Sequence, residues 1–110
     1  MKRIHRAFIY TDPAPTCSCH ASTLAVLGDG SVCTAWFGGT TEKNNDVRIY
    51  VSRLENGVWS APLAVSPDDG VPHWNPVLFQ TDDTTLTLYY KRGYEIRDWQ
   101  TMVTVSCDGG

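Results

Sequence analysis

Apolar and polar positions alternate with a period of two through most of this chain, in short runs cut by Gly, Pro, Asn and Asp. That pattern predicts β-strands joined by turns and leaves almost no amphipathic helix. Strands are expected at residues 7–10, 23–27, 32–37, 47–52, 76–80, 85–91 and 101–106. An outer, edge-like strand is expected at 62–66, because Pro62 lacks a ladder donor and is tolerated only at an edge. Gly28-Asp29-Gly30, Asn56-Gly57 and Thr81-Asp82-Asp83 supply tight turns. Residues 38–45 and 92–98 are long, polar and read as loops.

The order of strands and loops occurs twice. Ser52 and Ser106 lie 54 residues apart, and at that offset Tyr90 falls on Trp36, Lys91 on Phe37, Val103 on Ile49 and Val105 on Val51. Residues 23–24 align with 76–77 at an offset of 53. A period near 50 made of short strands predicts β-propeller blades, each a four-stranded antiparallel sheet. A self-contained β-sandwich accounts for the strands but not for the repeated order of loop types. Residues 1–22 are read as a closing strand and entry loop, 23–66 as a first blade, and 67–110 as an incomplete second blade. Propellers close with about 4–8 blades, so the chain is expected to be the N-terminal part of a larger domain. Open blade edges are expected to favour self-association.

Antiparallel order also sorts the loops. Residues 18–22, 38–46, 68–75 and 92–98 should emerge at one end, and the three tight turns at the other. Long loops on a rigid scaffold usually carry function, so chemistry is expected at the first end.

Composition removes several alternatives. Nine Lys and Arg against twelve Asp and Glu give a net charge of −3. Phosphate binding needs a clustered positive field, so no nucleic-acid partner is expected. No apolar run approaches the ~20 residues of a membrane span, and none follows the basic start in the manner of a signal peptide. No membrane partner and a cytoplasmic location are therefore expected. Cys17, Cys19, Cys33 and Cys107 contain no CxxC pair and lie at no zinc-finger spacing from histidine. They read as reduced, partly buried thiols, and no metal or other cofactor is expected. No GxSxG nucleophile motif occurs either.

Ser106-Cys107-Asp108-Gly109-Gly110 looks like the start of an Asp-box, SxDxGxTW. Ser52, Leu54, Asn56 and Trp59 form a degenerate copy, and Trp59-Ser60-Ala61-Pro62 is similar to the WSxP tail that follows such boxes. Cys19-His20-Ala21-Ser22-Thr23-Leu24, Ala35-Trp36-Phe37-Gly38-Gly39-Thr40, Asp46-Val47-Arg48-Ile49, Trp74-Asn75-Pro76-Val77-Leu78-Phe79 and Tyr90-Lys91 continue in order. With these segments the chain resembles the sialidase-like BNR/Asp-box repeat family from Ser18 onward. The resemblance implies an all-β fold, here about two blades of a six-bladed propeller. It also implies an exo-acting glycoside hydrolase that removes a terminal sialic acid or other sugar. A carbohydrate-binding propeller without hydrolysis is the alternative, and another sugar chemistry on the same scaffold a third reading. Known sialidases use a Tyr nucleophile assisted by a Glu, an Asp acid/base and three arginines. Here the usual first-blade Arg-Ile-Pro is missing, and the Tyr–Glu pair would fall beyond residue 110. Asp108 is implied to be structural, holding an outer hairpin turn.

Within that frame the expected partner is a carbohydrate. Glycoside cleavage needs a proton donor at the leaving oxygen, and Asp46 or Glu42 in the first long loop is the catalytic candidate. The competing roles are a turn cap for Asp46 and a solvated side chain for Glu42. His20 and Asn75 enter the two innermost strands and are candidates to bond sugar hydroxyls. The competing role for His20 is a bond to loop backbone. Lys91 is a candidate for pairing a substrate carboxylate, against an ion pair with Glu95 or Asp46. Trp74 is a candidate sugar-stacking surface. For Trp36, Trp74 and Trp99 alike, packing between blades is the competing role. His73 reads as loop filler.

Overall fold

A computed structural model describes residues 6–107. The chain is all-β and forms two antiparallel sheets. The first contains β1 (Ser18–Val26), β2 (Val32–Gly39), β3 (Arg48–Glu55), β4 (Val58–Trp59) and β5 (Leu63–Ala64). The second contains β6 (His73–Gln80), β7 (Leu86–Arg92) and β8 (Gln100–Ser106), in that order. β4 and β5 both pair with β3 and form one outer strand broken in the middle. Pro62 lies at the break. Ser60 bridges it, because its amide donates to Arg53 O and its Oγ accepts from Arg53 N. Asn56 (φ 52°) and Gly57 (φ 78°) turn β3 into β4 with both central residues left-handed, as a tight hairpin matching strand twist requires.

The 54-residue repeat holds through β1–β2 and β6–β7. His20 pairs with Phe37 as Trp74 does with Lys91, and Leu24 with Thr34 as Leu78 does with Leu88. The third strands depart from it. Ile49 pairs with Phe37, but Lys91 pairs with Thr101, so Thr101 rather than Val103 takes the place of Ile49. Likewise Ser106 takes the place of Leu54, not of Ser52. The second long loop is two residues shorter than the first, which moves the offset to 52. Because two is the side-chain period, the shift leaves every residue on its expected face. The alignment of 23–24 with 76–77 is corrected to 77–78 by the same ladders.

Residues 7–10 are not a strand. They have no ladder partner among the described residues, and an unpaired strand leaves its backbone groups to water. Tyr10 instead packs its ring on Trp36, 5.6 Å between centroids. β1 begins at Ser18, inside the stretch read as an entry loop. Asp108, Gly109 and Gly110 of the Asp-box lie outside the described residues.

The core fills the space between the sheets. Cys33, Ala35, Phe37 and Ile49 face Leu78, Leu86, Leu88 and Tyr90. β2 is buried at every position but its first, as a central strand with both faces covered should be. Of the four cysteines only Cys33 is buried; Cys17, Cys19 and Cys107 are exposed, which corrects the expectation of partial burial.

Gly39 sits where β2 meets the first long loop. A Cβ there would lie 2.7 Å from Asp46 Oδ1, 2.9 Å from Val47 Cγ2 and 3.0 Å from Val47 Cα. The carboxylate can move but the Val47 backbone cannot without shifting β3. Gly39→Ala should therefore cost about 1–3 kcal/mol, the usual range for overpacking, read as a lower urea midpoint at unchanged slope.

Candidate functional site at the long-loop end

The four long loops meet at one end. Lys43 Nζ reaches Glu95 at 2.6 Å, joining the two β–β loops. The Gly93 amide donates to Pro72 O, and Tyr94 Oη donates to Gly70 O. Thr16 Oγ1 donates to Ser18 O beside Gly38. At the other end the tight turns approach each other, with Gly28 against Asp83. The sorting of loops by antiparallel order is what the chain adopts.

Both innermost strands carry a β-bulge at this end, between His20 and Thr23 and between Trp74 and Val77. Each bulge holds one non-glycine residue in the left-handed region, Ala21 (φ 57°) and Asn75 (φ 46°), 54 residues apart. Asparagine tolerates that region better than most residues, whereas alanine is strained there. Bulges re-aim side chains and concentrate beside binding sites. Here they turn an exposed His20-Ala21-Ser22 and an exposed Asn75 out at the loop end of the two edge strands.

The expected site residues share this end but divide among several surroundings. His20 Nε2 lies 3.1 Å from Ser18 Oγ, and its ring packs 5.6 Å from Phe37. It lines a cleft of about 410 Å³ with Phe8, Tyr10 and Trp36. Burial and the Tyr10 Oη–H to Cys19 Sγ hydrogen bond push the Tyr10 hydroxyl up to about 12, so it stays a neutral donor. Asp46 lines a different groove, of about 330 Å³, with Thr40, Arg48, Tyr50 and Asp68. Lys91 points to neither groove; its Nζ donates to Thr101 Oγ1 at 2.6 Å, and Glu95 is taken by Lys43. Trp74 packs between the sheets, 5.5 Å from Phe37 and 5.4 Å from Trp99, and donates Nε1–H to Gly93 O. Its surroundings are those of a packing residue. Glu42 is exposed in the first long loop.

Asp46 is engaged by the loop it ends. Both carboxylate oxygens accept from the Thr40 amide at 3.1 Å, and Oδ2 accepts from Thr40 Oγ1 at 2.5 Å. The Thr40 hydroxyl and amide hold its carboxyl below the usual carboxylate range. A general acid needs the opposite shift. Asp46→Ala should free the Thr40 amide, with faster hydrogen exchange there and little change at β2.

A second cluster at this end involves residues that sequence reasoning passed over. His73 is fully buried, so it is not loop filler. Its Nδ1 lies 2.7 Å from Ser66 Oγ, its Nε2 lies 3.1 Å from Asp69 Oδ1, and its ring packs on Tyr90. The proton positions follow from the partners. The Asp69 carboxylate only accepts, so Nε2 carries the hydrogen and Nδ1 accepts from Ser66 Oγ–H. Ser66 Oγ in turn accepts from the Ile49 amide, and Arg92 Nε donates to Asp69 Oδ2. Arg48 donates to Ser66 O through both Nε (2.9 Å) and a terminal amine. Burial pushes the His73 pKa down, Arg92 and Arg48 act in the same direction, and Asp69 opposes them. Burial works to raise the Asp69 pKa, but the Arg92 hydrogen bond, His73 and the Val71 amide bring it below the ordinary value. The three residue types are those of a hydrolase triad. The serine oxygen, however, is buried and already bonded on both sides, so the cluster is a structural relay that ties the blade-to-blade link to β3 and β7. The four-residue spacing of Asp69 and His73 was the one local sign of it.

With blades, bulges and loop end in place, the chain can be compared with known families. A model for BNR repeat-like domains matches residues 30–110, well over half of the chain. The chain belongs to that family, and its two sheets are β-propeller blades. A search of curated proteins returned no match.

Proposed function

We propose that the long-loop end recognises a terminal sugar as part of a sialidase-type, six-bladed glycoside hydrolase, which removes sialic acid or another terminal residue from a glycan. The paired bulges in a BNR repeat-like domain carry this reading. At equivalent places on two neighbouring blades they present a histidine and an amide, each able to donate to and accept from sugar hydroxyls. Lys91 lies at the same end and would supply a point charge to a sugar carboxylate on leaving Thr101 Oγ1. Glu42 is the carboxyl left to protonate the leaving oxygen, since the surroundings of Asp46 favour its anion. That state of Asp46 also favours a second reading, in which the same end binds sugar without cleaving it.

Turnover of a panel of chromogenic glycosides and sialosides by the full-length protein separates the two. Hydrolysis is expected, with Glu42→Gln lowering kcat about 10²–10⁴-fold, the usual span for a general acid. Saturable binding without turnover selects the second reading. Neither binding nor turnover of any sugar sinks both.

A further inference from the structure

The first long loop is fastened at its base and at its tip, and Glu42 lies between the two points. At the base both Asp46 oxygens accept from the Thr40 amide. At the tip residues 41–44 form a turn, closed by the Asn44 amide on Thr41 O at 3.2 Å. Lys43 holds the third place of that turn with φ 71°. A left-handed third place ordinarily selects Gly or Asn, because the Cβ of other residues is strained there. Local chemistry therefore does not favour lysine at this position. What lysine adds is reach: its ammonium lies 2.6 Å from Glu95 Oε1 on the neighbouring blade.

Glu95 is a firm anchor. On one side its loop is bonded through Gly93 N–H to Pro72 O and through Tyr94 Oη–H to Gly70 O. On the other side Glu95 O accepts from the Asp98 amide at the short 3₁₀ helix Ile96–Asp98, and Trp99 packs on Trp74. Glu42, by contrast, is exposed, and among the described residues its carboxyl has no hydrogen-bond partner. The backbone of the turn decides where that carboxyl is offered, and Lys43 ties the turn to the second blade.

We propose that Lys43 and Glu95 are positioning residues for Glu42: their ion pair between blades holds the turn in the conformation that presents the Glu42 carboxyl to the glycosidic oxygen. This role rests on the glycoside hydrolase reading proposed above. Both side chains are 52% exposed, so the pair is of the weak, salt-screened kind. It shifts the loop between held and released populations rather than locking it, which bounds its effect on the rate.

Steady-state kinetics of the full-length protein on an aryl glycoside or sialoside that it hydrolyses tests this. Lys43→Met and Glu95→Gln should each lower kcat about two- to fivefold at low salt with KM unchanged, the span an exposed ion pair can supply. The double variant should be no slower than either single one, since the pair is already broken. Added salt should bring the wild-type kcat toward that of the variants and leave theirs in place. Hydrogen exchange at the Asn44 amide, which needs no substrate, should quicken in each single variant. A Lys43→Met rate equal to wild type, additive losses in the double variant, or unchanged exchange at Asn44 overturns the proposal. If Glu42→Gln is inactive beside such a result, the hydrolase reading stands without this role. A wild type that turns over no sugar, or a Glu42→Gln variant as active as wild type, sinks the role together with the assignment of Glu42.

Discussion

Phe37→Ala should remove a large part of the stability of the fold. Phe37 is 3% exposed and lies between the two innermost strands, with His20 on one side and Trp74 on the other. Its removal loses the transfer free energy of a phenyl ring and leaves a cavity against His20 and Trp74, where the two bulges begin. The expected cost is about 3–5 kcal/mol, against a total of about 5–15 kcal/mol for a domain. Urea denaturation followed by tryptophan fluorescence reads the change directly, since Trp74 borders the cavity. A loss below about 1 kcal/mol would mean that the two sheets do not share a core through this residue.

The second large effect is at His73. Replacing it with alanine removes a fully buried ring and both of its hydrogen bonds, at an expected cost of about 3 kcal/mol. The wild-type chain should also lose stability in mild acid. The unfolded imidazole takes up a proton near its ordinary value of about 6.5, while the folded one resists it to lower pH. Between those two points the unfolded state binds more protons, so stability falls as pH falls, by at most about 1.4 kcal/mol per pH unit. Above about pH 6.5 the contribution is complete. Protonation would also place an N–H on Nδ1 facing the Ser66 hydroxyl, whose own proton would then need a new acceptor. Below the ordinary carboxyl value the protonation of Asp69 extends the loss. Denaturation midpoints measured from pH 7.5 to 5 should decline in wild type and stay flat over that range in His73→Gln. Parallel declines in both would assign the acid sensitivity elsewhere.

The candidate site was legible in outline. Sorting loops by antiparallel order placed the polar segments at one end without any coordinates, because strand direction alone determines where each connection emerges. Assigning roles inside those loops fared differently. Asp46 has the residue type of a proton donor, yet Thr40 holds it as an anion. Trp74 has the shape of a sugar platform, yet it packs against Phe37 and Trp99. Type and position suggest what a side chain can do; its neighbours decide which of those things it does.

The tight turns, the strands other than the one expected at 7–10, and the repeat through the first two long strands of each sheet were determined by sequence alone, because alternation, Gly and Asn at left-handed turn positions, and a fixed period are local properties. Only the tertiary structure decided the two-residue shift in the third strands, since ladder register depends on loop length and on the partner strand. It also decided the bulges at Ala21 and Asn75, where a left-handed alanine has no local signature. The relay through Arg48, Ser66, Asp69, His73 and Arg92 belongs to the same class. Its members come from three segments, and desolvation, which gives His73 its importance, exists only once the sheets have closed over it.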